Sequence, residues 1–162
     1  LSPGEFGDRL SDLLLMDIER QTLATSDLRD LLGASDAYMA RLYPAESNHL
    51  VNIDSLLGRD FEFYAVKDGE MPVACVAIRL CDRYTELKRL FVKPEWRGRR
   101  LGKRLLSFAI DRSRELGLSV VRLETGIHQP EATALFESLG FRRIGPFGSY
   151  QEDPLSLFYE LS

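Results

Sequence analysis

The stretch RLFVKPEWRGRRLGKRLL, residues 89–106, constrains the fold of this chain more than any other part of it. It begins as an apolar, β-prone run that ends at Val92 and breaks at Pro94. It turns through Gly98 and resumes at Leu101 with apolar residues at helical spacing. Gly117 supplies the stop for a helix over 101–116, and SVVRLET beyond it reads as another strand. A strand, a crossover helix and a second strand make a βαβ unit, so the two strands are expected to be parallel neighbours.

The other elements follow from period and punctuation. Met16–Thr22 reads as an edge strand, and Thr25 or Ser26 can cap a helix through Met39. A short helix is expected from about His49 to Leu57. The run from Phe61 to Leu80 reads as a hairpin turning at Asp68-Gly69, and YTELKRLFV reads as its third strand. PEATALFESLG is a helix with Pro130 in its first turn, and FRRIGPF and LSLFYEL are two last strands. The class is α/β with a mixed sheet. A chain of 162 residues suits one domain, expected over 16–162, with residues 1–15 an N-terminal extension or an expression remnant.

The net charge is −4, so the basic residues around Gly98 and Gly102 are a local feature. The first amides of a helix lack intrahelical partners and carry the positive end of its dipole. Two glycines let an anion approach that backbone, and Arg97, Arg99, Arg100, Lys103 and Arg104 add charge. The cluster therefore suits a nucleotide or coenzyme pyrophosphate. A solvated helix start and a nucleic-acid patch using Trp96 for stacking are the competing readings. Neither GxxxxGK[ST] nor GxGxxG occurs. His49 and His128 are the only histidines and cluster with no cysteine, so no metal site is expected. Cys75 and Cys81, without a CxxC, point to a reducing compartment, the cytoplasm, and no apolar run is as long as a membrane span.

The segment LKRLFVKPEWRGRRLGKRLLSFAI resembles motif A of the GCN5-related N-acetyltransferases (GNAT), whose pattern is Q/R-x-x-G-x-G/A between a strand and a helix. LETGIHQPEATALFESLGFRRIG resembles their motif B, in the right order and at the right distance. The resemblance implies a mostly antiparallel sheet with a central parallel pair that splays apart, flanked by helices. It implies acetyl-CoA as co-substrate and a primary amine of a small molecule or peptide as acceptor. A non-catalytic acyl-CoA-binding module and a basic nucleic-acid binder are the rival functions. The expected partners are acetyl-CoA and the amine, with no nucleic acid and no membrane, in a monomer or homodimer.

The resemblance also implies site residues. Leu90, Phe91 and Val92 would pair with the pantetheine arm, the Leu90 N–H facing the thioester oxygen. Amides from Gly98 through Arg99, Arg100, Leu101 and Gly102 to Lys103 would take the pyrophosphate, with Arg97 opening the motif. Arg100 stands where a glycine is usual. Gln129 replaces an asparagine that bonds the coenzyme. Phe136 replaces a tyrosine that can protonate the departing thiolate, so either the thiolate leaves unaided or Tyr150 or Tyr84 is the acid. Glu86 is the candidate base; regular strand spacing puts Glu86, Lys88 and Leu90 on one face. Tyr43, Glu46, His49 and Tyr150 are candidates for the acceptor pocket, and Glu152 and Asp153 would add carboxylates favouring a cationic amine.

Overall fold

The computed structural model describes residues 16–162; the extension expected over 1–15 lies outside the described residues. Strands β1 (Ile18–Arg20), β2 (Phe61–Asp68), β3 (Met71–Leu80), β4 (Thr85–Val92), β5 (Val121–Gly126), β6 (Arg142–Ile144) and β7 (Ser156–Leu161) form one sheet. Its order is β1-β2-β3-β4-β5-β7-β6. β4 and β5 are parallel and every other neighbouring pair is antiparallel. The helices are α1 (Ser26–Leu42), α2 (Ile53–Leu56), α3 (Leu101–Glu115) and α4 (Pro130–Ser138).

Local chemistry sets most of the ends. The Thr25 hydroxyl accepts from the Leu28 N–H and starts α1. Gly117, at φ 81°, ends α3. Two element boundaries differ from the sequence reading. The hairpin turns at Gly69-Glu70, because Asp68 still pairs with Met71. The helix expected from His49 is confined to Ile53–Leu56, where the Asn52 side chain caps it. Residues 44–52 instead form a 3-10 turn at Ala45–Ser47 and an extended segment. Contacts to distant residues hold that segment. Ser47 Oγ donates to Asp153 at 2.7 Å, and His49 meets Tyr150 edge-on at 5.0 Å.

The sheet alternates its side chains between two apolar layers. Leu101, Leu105, Leu106 and Ile110 of α3 and Phe136 of α4 pack on Ile78, Leu87 and Leu123. Leu28, Leu31 and Leu32 of α1 pack with α2 on Phe63, Cys75 and Phe91. Each such side chain stabilises the fold by about 1.5–3 kcal/mol relative to exposure. Cys75 is fully buried, and burial pushes its thiol up to about 12.

One irregularity in β4 sets the geometry of the site. Cys75 pairs with Phe91 and Ala77 with Lys88, so Arg89 and Leu90 together stand opposite Val76. This is a β-bulge, with Arg89 at φ 59°. The bulge changes the parity of the strand. Leu90 packs on the same layer as Leu87, and not on the face of Glu86 and Lys88 that regular spacing assigns to it. Arg89 reaches the other way: Nε donates to the Val51 carbonyl at 2.9 Å and Nη1 to Asp36 of α1.

Candidate active site

β4 and β5 pair only from Thr85↔Val121 to Leu87↔Leu123. Past that point the strands diverge, and the backbone of Lys88–Val92 is released from β5. The wedge holds a cavity of about 120 Å³, with Leu87, Leu90, Glu124, Gln129, Phe136 and Tyr150 in its wall. Two larger spaces share walls with it. An outer cleft of about 650 Å³ shares Leu90 and Gln129 and extends to Gly98, Arg100, Gly102 and Lys103. A basin of about 530 Å³ on the other side shares His49, Lys88 and Tyr150.

The outer cleft is lined by Arg97, Arg100 and Lys103 and by the turn that enters α3. Gly98 at φ 75° and Arg100 at φ 63° turn the chain into α3. Arg100 thus takes the left-handed conformation that the usual glycine would take, at a cost of about 1–2 kcal/mol. The Arg100 side chain makes no capping bond, and the first backbone bond back into α3 comes from the Arg104 N–H. The amides of Leu101, Gly102 and Lys103 precede it and have no intrahelical acceptor.

The basic side chains divide their work. Arg97 Nε donates to the Val92 carbonyl at 3.0 Å, and its guanidinium lies 4.7 Å from the Tyr38 ring centre, so it closes the loop against α1. Arg99 stacks on Trp96 at 4.6 Å and does not line the cleft. Arg100 and Lys103 do line it. The Leu101 side chain is buried in the core, and so is Phe91 beneath α1. The indole that suggested nucleobase stacking is covered by Arg99.

At the inner end, Glu86 is only 2 % exposed and surrounded by donors. Tyr150 Oη donates to Glu86 Oε2 at 2.5 Å, and Lys88 Nζ donates to Tyr150 Oη at 2.7 Å. Lys88 Nζ lies 3.5 Å from Glu86, and Arg79 lies 3.6 Å from it across the strand pair. Burial, reinforced by the Glu86 charge, pushes the Tyr150 hydroxyl far above its ordinary range. Tyr84 is the other candidate acid. It lines the basin, not the wedge, with Arg122 stacked on its ring at 4.4 Å.

The carboxylates of Glu46, Glu86, Glu152 and Asp153, the cations of Arg79 and Lys88 and the rings of Tyr84, Phe147 and Tyr150 line the basin. Asp153 accepts from the Leu155 N–H and the Ser47 hydroxyl, which hold its carboxyl below the usual range. Glu46 and His49, candidates for the acceptor pocket, line the basin. Tyr43 lines the wedge and not the basin.

Glu124 is the wedge carboxylate that the sequence reading did not single out. It follows Leu123, the last residue of β5 paired with β4, and its carboxylate faces the wedge. Its main hydrogen-bond partner is Ser156 Oγ, at 3.0 Å. Burial raises its pKa to about 7, partly opposed by the Ser156 bond and the Lys88 charge. A signal was present: LET puts an acidic residue in a strand that two helices and a parallel neighbour must cover.

Among the described residues no cluster of His, Cys, Asp and Glu is arranged to hold a metal ion, and no helix is long and apolar enough to cross a membrane.

Residues 27–141 match the family model described as Acetyltransferase (GNAT) family. The IAA acetyltransferase of Azospirillum brasilense is 41% identical over 145 residues, covering 88% of this chain and 95% of that protein. A Klebsiella pneumoniae crystal structure, provisionally named an acyl-CoA N-acyltransferase, is 30% identical with a TM-score of 0.75. The match covers 90% of this chain and 96% of that one. A GNAT family acetyltransferase from Elizabethkingia anophelis, solved with acetyl-CoA bound, has the same fold. Its TM-score is 0.66 at 20% identity, covering 90% of this chain and 97% of that one. With a splayed parallel pair, a left-handed turn into α3 and these relatives, the chain belongs to the acetyltransferase (GNAT) family.

Proposed function

We propose that the protein transfers an acetyl group directly from acetyl-CoA to a primary amine of a small molecule or peptide. The observation that carries this reading is the wedge itself, which shares one wall with a basic cleft and the other with an acidic basin. The coenzyme supplies an activated acetyl thioester. The chain supplies the remaining functions. Leu101, Gly102 and Lys103 amides hold the pyrophosphate at the start of α3, with Arg100 and Lys103 beside them. The β4 backbone from Leu90 to Val92, free of β5, holds the pantetheine arm and offers the Leu90 N–H to the developing oxyanion. Gln129 bonds the arm from the far wall.

An ammonium has no lone pair, so the acceptor must lose a proton before attack. Glu124, the carboxylate of the wedge wall, is the proton acceptor; Glu86 lines the basin. A group near pH 7 combines a large deprotonated fraction with useful basicity. Glu86, bonded by Tyr150 and flanked by Lys88 and Arg79, serves to fix Tyr150 and Lys88 between wedge and basin. Phe136 has no proton to give and the Tyr150 hydroxyl spends its one hydrogen on Glu86, so the thiolate, a modest base, leaves unaided. Glu46, Glu152 and Asp153 favour a cationic acceptor such as a polyamine, an amino acid or a lysine side chain. The free thiols of Cys75 and Cys81 support a reducing compartment, the cytoplasm. Phe136 favours one second reading, a module that binds acyl-CoA without turning it over.

Calorimetric titration with acetyl-CoA tests the coenzyme half of the proposal. Saturable binding is expected, and Gly102→Pro, which removes one of the three unbonded amides, should weaken it at least tenfold. Gly102→Ala is the control. A Cβ there comes no closer than 3.7 Å, to Leu135 Cδ2, so Ala should bind nearly as wild type. A folded Gly102→Pro protein with wild-type affinity would remove the amides from the site. Steeply salt-dependent oligonucleotide binding with no acetyl-CoA binding would replace the coenzyme reading altogether.

A further inference from the structure

Tyr43 ends α1 with its side chain buried, 5 % exposed, yet it takes no part in the acid–base chemistry described above. Its ring stacks on His128 at 5.5 Å. Its hydroxyl lies 1.9 Å from where a Cβ on residue 126 would sit, so the ring fits only because that residue is Gly126. The His128 backbone N–H donates to the hydroxyl at 3.1 Å. The single hydroxyl hydrogen is then directed to Gln129 Oε1, at 3.2 Å. A phenol has one hydrogen to give, and here it has one acceptor.

That arrangement fixes which end of the Gln129 amide faces the coenzyme. Gln129 stands where the wedge and the outer cleft share a wall. Its carbonyl oxygen is occupied by Tyr43, which leaves the Nε2 hydrogens for a partner in the passage. A pantetheine arm threading from cleft to wedge carries amide carbonyls, which accept hydrogen bonds. We infer that Tyr43 is a positioning residue for the coenzyme, orienting the Gln129 amide so that it presents a donor to the pantetheine arm. The inference rests on the reading of Gln129 as a coenzyme ligand. Tyr43 also ties this wall to the acceptor side, since Asn48 Nδ2 donates to its carbonyl at 3.3 Å and Ser47 next to it holds Asp153.

The test is a double-mutant cycle on coenzyme A affinity, measured by calorimetry, in Tyr43→Phe, Gln129→Ala and the double variant. Phe keeps the ring on His128 and removes only the hydroxyl. Each single variant should weaken binding by roughly 5–10-fold, and the double variant no more than the weaker single one. With saturating acetyl-CoA, kcat in Tyr43→Phe should stay within about twofold of wild type while the KM for acetyl-CoA rises. Gly126→Ala, whose Cβ displaces the ring, should reproduce the loss with Tyr43 intact. Wild-type affinity in Gln129→Ala would overturn the reading of Gln129. A loss in Gln129→Ala without one in Tyr43→Phe, or losses that multiply in the double variant, would overturn the positioning role.

Discussion

Glu124→Gln should lower kcat/KM by roughly 10²–10⁴-fold at neutral pH, the range expected when a positioned base is lost. The shape of the pH profile matters as much as the size of the loss. In the wild type the carboxylate form increases as pH rises through about 7, so the rate should climb and then bend near that value. In Glu124→Gln the bend should vanish, and the rate should simply follow the free amine, tenfold per pH unit. Glu86→Gln should lose activity by a different route. It removes the carboxylate charge beside Lys88 and Arg79 and sets an amide NH2 among donors, but leaves the bend near pH 7 in place. A bend that disappears in Glu86→Gln and persists in Glu124→Gln would exchange the two roles.

The same substitution should stabilise the fold. The pKa of Glu124 is raised from 4.5 to about 7, so the folded state holds its proton more tightly than the unfolded chain. That contribution is complete below about pH 4.5 and is lost as pH rises through about 7. Glu124→Gln should therefore gain up to about 3 kcal/mol over wild type at pH 8, and nothing at pH 4. Thermal melts at the two pH values check this, and an equal gain at both would mean that charge burial is not the cause.

Arg89→Ala should destabilise the protein by about 3 kcal/mol and weaken acetyl-CoA binding roughly tenfold. The Arg89 side chain is 4 % exposed, and it is the donor that satisfies the Val51 carbonyl and ties Asp36 to β4. Alanine keeps the unfavourable positive φ and loses both anchors. The melting temperature should fall by about 6–12 °C for a chain of this length. Arg89→Gly should lose less, because glycine adopts φ 59° without strain. The binding loss follows from position: Arg89 begins the bulge that frees Leu90–Val92 for the coenzyme arm. A tenfold loss of affinity with an unchanged melt would place Arg89 in the coenzyme site itself.

These particulars also show where sequence reading reaches and where it stops. The βαβ unit, its parallel strands and the turn at Gly98 and Gly102 were legible because period, glycine and proline act locally. The acceptor-side loop was not. His49 to Asn52 carry helical residues, but Asp153 and Tyr150, about a hundred residues away, hold the segment extended. The bulge was illegible for the same reason. Nothing near Arg89 in the chain calls for a positive φ; Asp36 and Val51 impose it. Glu124 resembles any exposed strand glutamate until the splayed pair covers it. Glu86 was singled out by position along β4, but of the groups around its carboxyl only Lys88 is local; Arg79 comes from β3 and Tyr150 from the loop before β7. Tyr43 was expected at the acceptor, and its hydroxyl is turned instead to the wall between wedge and outer cleft by a glycine 83 positions later.

Direct transfer between the two ends of the wedge is the central claim, and thiol release tests it most directly. Enzyme at a concentration comparable to acetyl-CoA is mixed with it, first alone and then with a panel of primary amines, and free coenzyme A thiol is followed with time. No release above the uncatalysed rate is expected without an amine. Saturable release matched by acetylated amine is expected with an accepted one, and it should fall away in Glu124→Gln. A burst of one thiol equivalent per enzyme without amine would contradict direct transfer, and tight acetyl-CoA binding with no release for any amine would contradict catalysis.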